Sequence, residues 1–435
     1  MRARKLQKLW RKFHLRDTEE EIPPGNLLHS ARTDSDGTRR IFDPLNSEFI
    51  ANPYSTYRYL REHEPIQRGA TGAWVLSRYE DIANALVDSR LGNAPSKYAT
   101  VNKRNADRYL CADLANNILP FLDPPDHTVP RKLISHSFHQ YLVKNPPPLT
   151  GIAEQVLEGL PRSEEFDLLS KFATPYTAKV FCHLLGTDEK QIPELLQWSD
   201  WFFYLLTVIP SAQARIQIDQ ALANFRACIA QLVEARKSKP GTDFISYLLQ
   251  ENGDQAKLDD IQIIDNLILL FADGVENVDK AICNAVTLFL KFPEQRDLLD
   301  NHPEFLPQAV DECLRYESPA QFIGRVAKQD LEISGQLIRR NEAILLLLGS
   351  ANRDLSQFDN ADTFDITRKP NPHLSFGKSR HGCVGGIFVR QEMQAALKTI
   401  LNQLPGVELS CPDLNWQPRM GHRWLVELRM RYRDI

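Results

Sequence analysis

The amino-acid sequence predicts a mainly α-helical chain with a minor β portion. Three observations carry that expectation. Amphipathic helical periodicity dominates from about residue 48 onward, one apolar helical run extends over residues 258–291, and short strand-like pieces gather late in the chain. The 435 residues are 43% hydrophobic and 25% charged, proportions of a globular protein able to bury a large core. Residues 47–435 read as one domain and residues 1–46 as a basic and polar N-terminal arm.

The arm opens "MRARKLQKLWRKFHLRD", with basic residues from Arg2 to Arg16 before the first acid, Asp17. Leu6, Leu9, Trp10 and Phe13 fall at i, i+3, i+4 and i+7, one apolar stripe of a short helix. A frayed or loosely docked terminus is the ordinary state of such a segment, and weak contact with a membrane surface is the functional alternative. No apolar run is long enough for a transmembrane segment, and no secretory signal opens the chain. A net charge of −4 gives no global field for nucleic acid. Seven scattered cysteines without a C-x-x-C pair suit a reducing, cytoplasmic setting.

In the central run, Asp259 and Asp260 suit a helix N-terminus and Pro293 suits its end. At 1.5 Å per residue such a helix is about 50 Å long, and its apolar middle predicts burial on all sides. A second helix, "EFLPQAVDECLRYESP", stops at Pro319. Strand-like pieces follow in "FIGRVA", in "LEISGQLI" with Ser334 and Gly335 as its turn, and in "AILLLLG". The tail from Val407 also reads as strands and turns.

The stretch "HLSFGKSRHGCVGG" holds three candidate chemistries. A phosphate loop requires G-x-x-x-x-G-K-[ST], but Pro372 stands five residues before Gly377, so the "GKS" is incidental. A zinc site would draw on His373, His381 and Cys383, but no second cysteine pair lies nearby. A thiolate ligand to haem iron needs a sulfur held rigidly among N–H donors. Gly377, Gly382, Gly385 and Gly386 let the backbone curl round Cys383, and the helix predicted just beyond it favours negative charge at its start.

Phe376, Gly377, His381, Cys383 and Gly385 match F-G-x-G-x-H/R-x-C-x-G, the haem signature of the cytochrome P-450 family, which the chain resembles from about Ser47 to its C-terminus. Ser379 replaces the middle glycine and must take a turn conformation that glycine accepts more readily. Glu312 and Arg315 match the family's E-x-x-R pair, one face of a helix. The third partner is often an arginine in the later meander, where the matching position here reads as Thr363.

The resemblance implies the cytochrome P-450 fold, a long central helix over haem with small β portions. It implies heme b with Cys383 as axial metal ligand and Phe376 beside the sulfur. His127, Arg131, Arg325 and His373 are the implied partners of the haem propionates. The central-helix pattern A-G-x-[D/E]-T falls on Asp273, Gly274, Val275, Glu276 and Asn277, which makes Glu276 and Asn277 the implied catalytic pair. Asn277 is an amide where the family has an alcohol, and Asp273 stands where a small neutral residue is usual. Asp273 is either turned away or placed to bind a cationic or hydroxylated substrate group.

The expected activity is that of a monooxygenase using O2, acting on a small or medium lipophilic substrate such as a terpenoid. Cavity walls are expected from residues 109–121, from "WSDWFFYLLTVIP", from residues 269–277, and near Phe322. Electrons are expected from a ferredoxin and ferredoxin reductase, docking near Lys132, Lys378, Arg380 and Arg390. The alternatives are a peroxide-using or non-monooxygenase haem-thiolate enzyme, motivated by Asn277, and a non-enzymatic haem-binding sensor.

Overall fold

The computed structural model describes residues 42–95, 100–161, 165–207, 212–253 and 257–432, together with a short ribbon pairing Arg32–Thr33 with Arg39–Arg40. The amphipathic stripe expected between Leu6 and Phe13 lies outside the described residues.

The helices that frame the site are α1 (Thr128–Lys144), α2 (Thr174–Leu185), α3 (Ile192–Thr207), α4 (Ala212–Ser238), α5 (Asp260–Lys291), α6 (Leu306–Tyr316) and α7 (Gly386–Gln403). The run predicted over residues 258–291 is α5. Asp259 caps its first turn, accepting from Gln262 N while the Gln262 side chain accepts from Asp259 N, a reciprocal capping box. The helix ends at Lys291, just before Pro293 as the sequence implies, and Pro293 opens the next helix. Helices α2, α3, α4, α6 and α7 all pack on α5, and its second half is buried on every side. Even the buried acid of its first half is paired: Asp265 takes a two-pronged contact from Arg226 of α4, both bonds 2.6 Å.

The β portion is small and brings together distant segments. Strands β1 (Ile66–Arg68), β2 (Trp74–Leu76) and β3 (Leu91–Gly92) come early, and β4 (Phe166–Asp167) lies between helices in the chain and pairs with the C-terminal strand Arg429–Tyr432. Late in the chain come β5 (Ile323–Ala327), β6 (Leu331–Ile333), β7 (Gln336–Ile338), β8 (Ala343–Leu346), β9 (Val407–Leu409) and β10 (Arg429–Tyr432). The main sheet has the order β1-β2-β8-β5-β3, with β8 parallel to β2 and antiparallel to β5. The predicted hairpin is β6–β7, with Ser334 and Gly335 both at positive φ in the turn.

A buried ionic network fastens α6 to the irregular segment behind it. Arg315 grips Glu312 in two bonds of 2.7 and 2.8 Å, and both side chains are fully buried. The remaining Arg315 donors go to the carbonyls of Asn352, Ala361 and Thr363. The third charged member is Arg368, 3.2 Å from Glu312, and not a residue at Thr363 as motif spacing implies. Thr363 contributes only its carbonyl to Arg315; the backbone first meets the carboxylate at Asp365 N, and the first cationic side chain to reach it is that of Arg368.

One close approach fixes the middle of α5. A side-chain carbon at Gly274 would lie 1.9 Å from the ring of Phe181 on α2, so the ring packs directly on helix backbone.

Glu312→Gln should destabilise the fold by about 3–5 kcal/mol, since it leaves Arg315 and Arg368 buried without a counter-charge. Arg368→Ala, at the edge of the network, should cost less; chemical denaturation measures both. Gly274→Ala should lower stability by about 1–3 kcal/mol by overpacking, against alanine's intrinsic preference for helix, and thermal melting checks the sign.

Candidate active site

Cys383 sits where a tight loop turns into α7. The loop is closed by three backbone bonds: Gly377 N to Leu374 O, Gly382 N to Ser379 O, and Cys383 N to Phe376 O, at 2.8, 2.9 and 2.8 Å. Gly377 and Ser379 both lie at φ +65°, so Ser379 does adopt the left-handed turn expected of the glycine it replaces. A carbon added at Gly385 would come 3.9 Å from Cys383 Sγ, and one at Gly386 3.5 Å from the Phe376 ring. Small residues therefore let the start of α7 lie against the sulfur.

Protein surrounds Cys383, yet its side chain is accessible because it opens into a cavity of about 710 Å³. That volume lies in the range of roughly 300–1,000 Å³ common for small-molecule sites. Burial and then the nearby charge of Asp273 push the Cys383 thiol up to about 12, while a Gly385 backbone hydrogen bond, Arg131 and Arg390 act in the opposite direction.

Four cationic or basic groups line the same cavity: His127, Arg131, Arg325 and His381. The two imidazoles are 4.1 Å apart, centroid to centroid. Their Nε2 atoms are buried with no hydrogen-bond partner among the described residues. Burial, then His127, Arg325 and Arg131, push His381 down to about 3. Burial lowers Arg325 to about 10, offset only by Asp123, and lowers Arg131 as well. Such a cluster is incomplete without an anion carrying several acceptors.

His373 is not part of this cluster. Its Nε2 lies 3.2 Å from Asp311 Oδ1, its Nδ1 accepts from Ser375 N, and it does not line the cavity. The histidine that stands with the arginines is His381, which the sequence offers as a candidate zinc ligand and as a match to the haem signature but not as a propionate partner. Its position two residues before Cys383 was the available signal.

Across the cavity, α5 presents Asp273, Gly274 and Asn277. Asp273 is not turned away: Asn277 Nδ2 donates to its Oδ1 at 2.8 Å. The indole N–H of Trp424 donates to Asn277 Oδ1 at 3.2 Å, so the amide is held at both ends. Burial raises Asp273 to about 6. Glu276 does not line the cavity. Its carboxylate meets buried Lys280 at 3.0 Å, and Lys280 also meets Asp279 at 2.9 Å. Burial alone would lower Lys280, but Asp279 and Glu276 outweigh it and hold the ammonium charged. Thr174 Oγ1 donates to Asp279 at 2.7 Å and closes the group.

The walls come partly from the expected segments. Leu119, Pro120 and Phe121 line the cavity, as do Leu269, Leu270, Phe322 and Ile323. The aromatic helix α3 contributes Leu205 but none of Trp198, Trp201, Phe202, Phe203 or Tyr204. Those rings pack in or against the core: Phe203 lies 5.2 Å from Trp424 and Trp198 lies 5.7 Å from Phe225. On the outer face Lys132, Lys378 and Arg380 are exposed. Arg390 is instead paired with Asp311 at 2.6 Å and lies 4.5 Å over the Phe376 ring.

Together these residues fit a haem. One thiol reaches the cavity at the start of a helix, two orphaned imidazole nitrogens and two arginines that form no ion pair among the described residues would hold two carboxylates, and α5 lines the same cavity around Gly274.

Comparison with known proteins agrees with that fit. The Cytochrome P450 family model matches residues 301–405. The biotin biosynthesis cytochrome P450 of Bacillus subtilis is 35% identical over 396 residues, 89% of this chain and 98% of that protein. The 6-deoxyerythronolide B hydroxylase of Saccharopolyspora erythraea is 32% identical, over 89% of this chain and 98% of its own. Among solved structures, CalO2 aligns with a TM-score of 0.83 at 29% identity, covering 90% of this chain and 98% of that one. P450BioI, solved in complex with hexadec-9Z-enoic acid ligated acyl carrier protein, aligns at 0.77 with 34% identity, covering 89% and 100%. The chain belongs to the cytochrome P450 family of haem-thiolate monooxygenases.

Proposed function

We propose that Cys383 is the axial ligand of a heme b, that His127, Arg131, Arg325 and His381 hold its propionates, and that the enzyme oxidises a small or medium, largely apolar molecule of specialised metabolism. The observation that carries this reading is the single cavity shared by the Cys383 sulfur, the unsatisfied cationic cluster and the Asp273–Asn277 turn of α5. Haem iron with a thiolate ligand supplies oxidation of unactivated C–H bonds, and the protein supplies position, protons and exclusion of water.

The chain's own residues divide that work. The Cys383 loop and the start of α7 hold the sulfur, and the Gly385 backbone N–H, Arg131 and Arg390 work toward its anionic form against burial and Asp273. Asn277 is an amide, a donor and acceptor that can orient a water or a substrate group but does not carry a mobile hydroxyl proton. Glu276, the expected acid of the pair, is anchored to Lys280 outside the cavity wall. Glu276 reaches the cavity only by leaving that ammonium, so Asp273 is the acid already facing the site.

Electrons come from a separate donor in this reading. The exposed Lys132, Lys378 and Arg380 support docking of an acidic ferredoxin, kept reduced by its reductase. Arg390 is not one of the docking charges, because Asp311 neutralises it. A second reading, peroxide-driven oxidation, is favoured by one observation: the usual alcohol is absent and the usual acid is pinned by Lys280.

Two measurements test these readings. The haem-loaded, reduced protein should give the thiolate-type carbon monoxide difference spectrum, and Cys383→Ser should abolish it; an unchanged spectrum in the variant would overturn the ligand assignment. With a substrate found by its Soret shift, turnover should require reduced ferredoxin and O2. Sustained turnover with hydrogen peroxide, and none with ferredoxin, would replace the first reading by the second.

A further inference from the structure

The cavity has two electrically distinct ends. One is the cationic cluster already described. The other is built from Asp273, Asn277, Trp424 and His422, and it presents acceptors. Asp273 Oδ1 takes a hydrogen bond from Asn277, while its Oδ2 accepts none among the described residues. No lysine or arginine offsets the Asp273 charge, and none of the four groups of the cationic cluster acts on it. The carboxylate therefore faces the cavity with one oxygen unsatisfied and its charge unmatched.

This end is fixed in place. The Trp424 side chain is fully buried, and its indole N–H, which can only donate, sets the Asn277 amide with oxygen toward the ring. The amide nitrogen is then committed toward Asp273. Lys280 lies 5.2 Å from the same indole ring, and Phe181 packs on the α5 backbone at Gly274, next to Asp273. His422 lines the cavity from the C-terminal loop, its ring 4.7 Å from that of Trp424. Its Nδ1 lies 3.1 Å from Met420 O, which can only accept, so Nδ1 carries the hydrogen. Burial pushes this imidazole down to about 4, so it is neutral and its Nε2 is a second acceptor.

We propose that Asp273 is the counter-ion for a protonated amine, and hence that the substrate is an apolar molecule bearing one basic nitrogen. The proposal rests on the monooxygenase reading and narrows its substrate class. A carboxylate end on the substrate would meet like charge at this pole, and a purely hydrocarbon ligand would leave Asp273 unpaired. An ammonium group supplies both the missing charge and the missing donor, with Asn277 holding the carboxylate and His422 taking a further N–H where the amine has one.

The test uses the haem-loaded protein, first qualified by its carbon monoxide difference spectrum; failure at that step bears on the haem-thiolate reading and not on Asp273. Binding of N,N-dimethyldecylamine, 1-decanol and decanoate is then measured by calorimetry for the wild type and for Asp273→Asn, which keeps the side-chain shape. The amine should bind wild type about ten-fold or more tightly than the alcohol, with decanoate weakest. Asp273→Asn should erase the amine's advantage while leaving decanol affinity and the Soret band unchanged. Equal affinity of amine and alcohol in the wild type would overturn the proposal, as would an amine preference that survives in Asp273→Asn. A decanol affinity that falls in the variant, with no amine preference in the wild type, would also overturn it and assign Asp273 to a hydroxyl group.

Discussion

The interaction on which the site depends is the grip of Arg315 on Glu312. Neither residue lines the cavity, yet the pair governs where the cysteine loop can sit. Arg315 holds the carbonyl of Asn352, and Asn352 in turn accepts from Leu374 N through its Oδ1 at 2.7 Å. Its Nδ2 donates to Ser375 Oγ, which donates onward to Leu314 O. Loop and helix are thus tied through one asparagine, immediately before the turn that carries Cys383. A buried ion pair is a weak source of net stability because of the water its charges lose. Here the pair's value is that it gives an irregular segment a single geometry, with Asp365 N and Asn371 Nδ2 also bonded to the same carboxylate.

Two charge patterns meet in the cavity, and each follows from burial. Arginines and histidines without anions would be tolerated at one end by the proposed cofactor, which brings carboxylates. The acid at the other end is tolerated because an amide supports it and because the cavity leaves its second oxygen open. The site is incomplete in a defined way, and what is missing at each end has a sign.

Much of this was legible in the sequence, for physical reasons that differ from part to part. The Cys383 loop could be read because its chemistry is local: glycines, a serine forced to positive φ, and a helix start lie within a dozen residues. The central helix could be read because one periodicity runs through all of it. The third member of the ion network was misplaced because the path length of an irregular segment is not written in a motif; Arg368 reaches Glu312 from five residues beyond Thr363. His373 and His381 are equally plausible on paper, and only the fold shows that Asp311 claims the first. The rings of α3 look like a lipophilic wall, but helical phase turns them into the core. Lys280, Trp424 and His422 carried no signal at all, since their meaning depends on which α5 side chains they meet.

Trp424 lies 147 positions from Asn277 in the sequence, yet it sets which way that amide points. The C-terminal loop is therefore more than a stretch of cavity wall. Exchanging it for the loop of a relative, as one does to transplant specificity, would also release the amide on the central helix and reorient the carboxylate beneath it. In this enzyme a graft made to alter the shape of the pocket would alter its charge as well, so the two properties cannot be engineered separately.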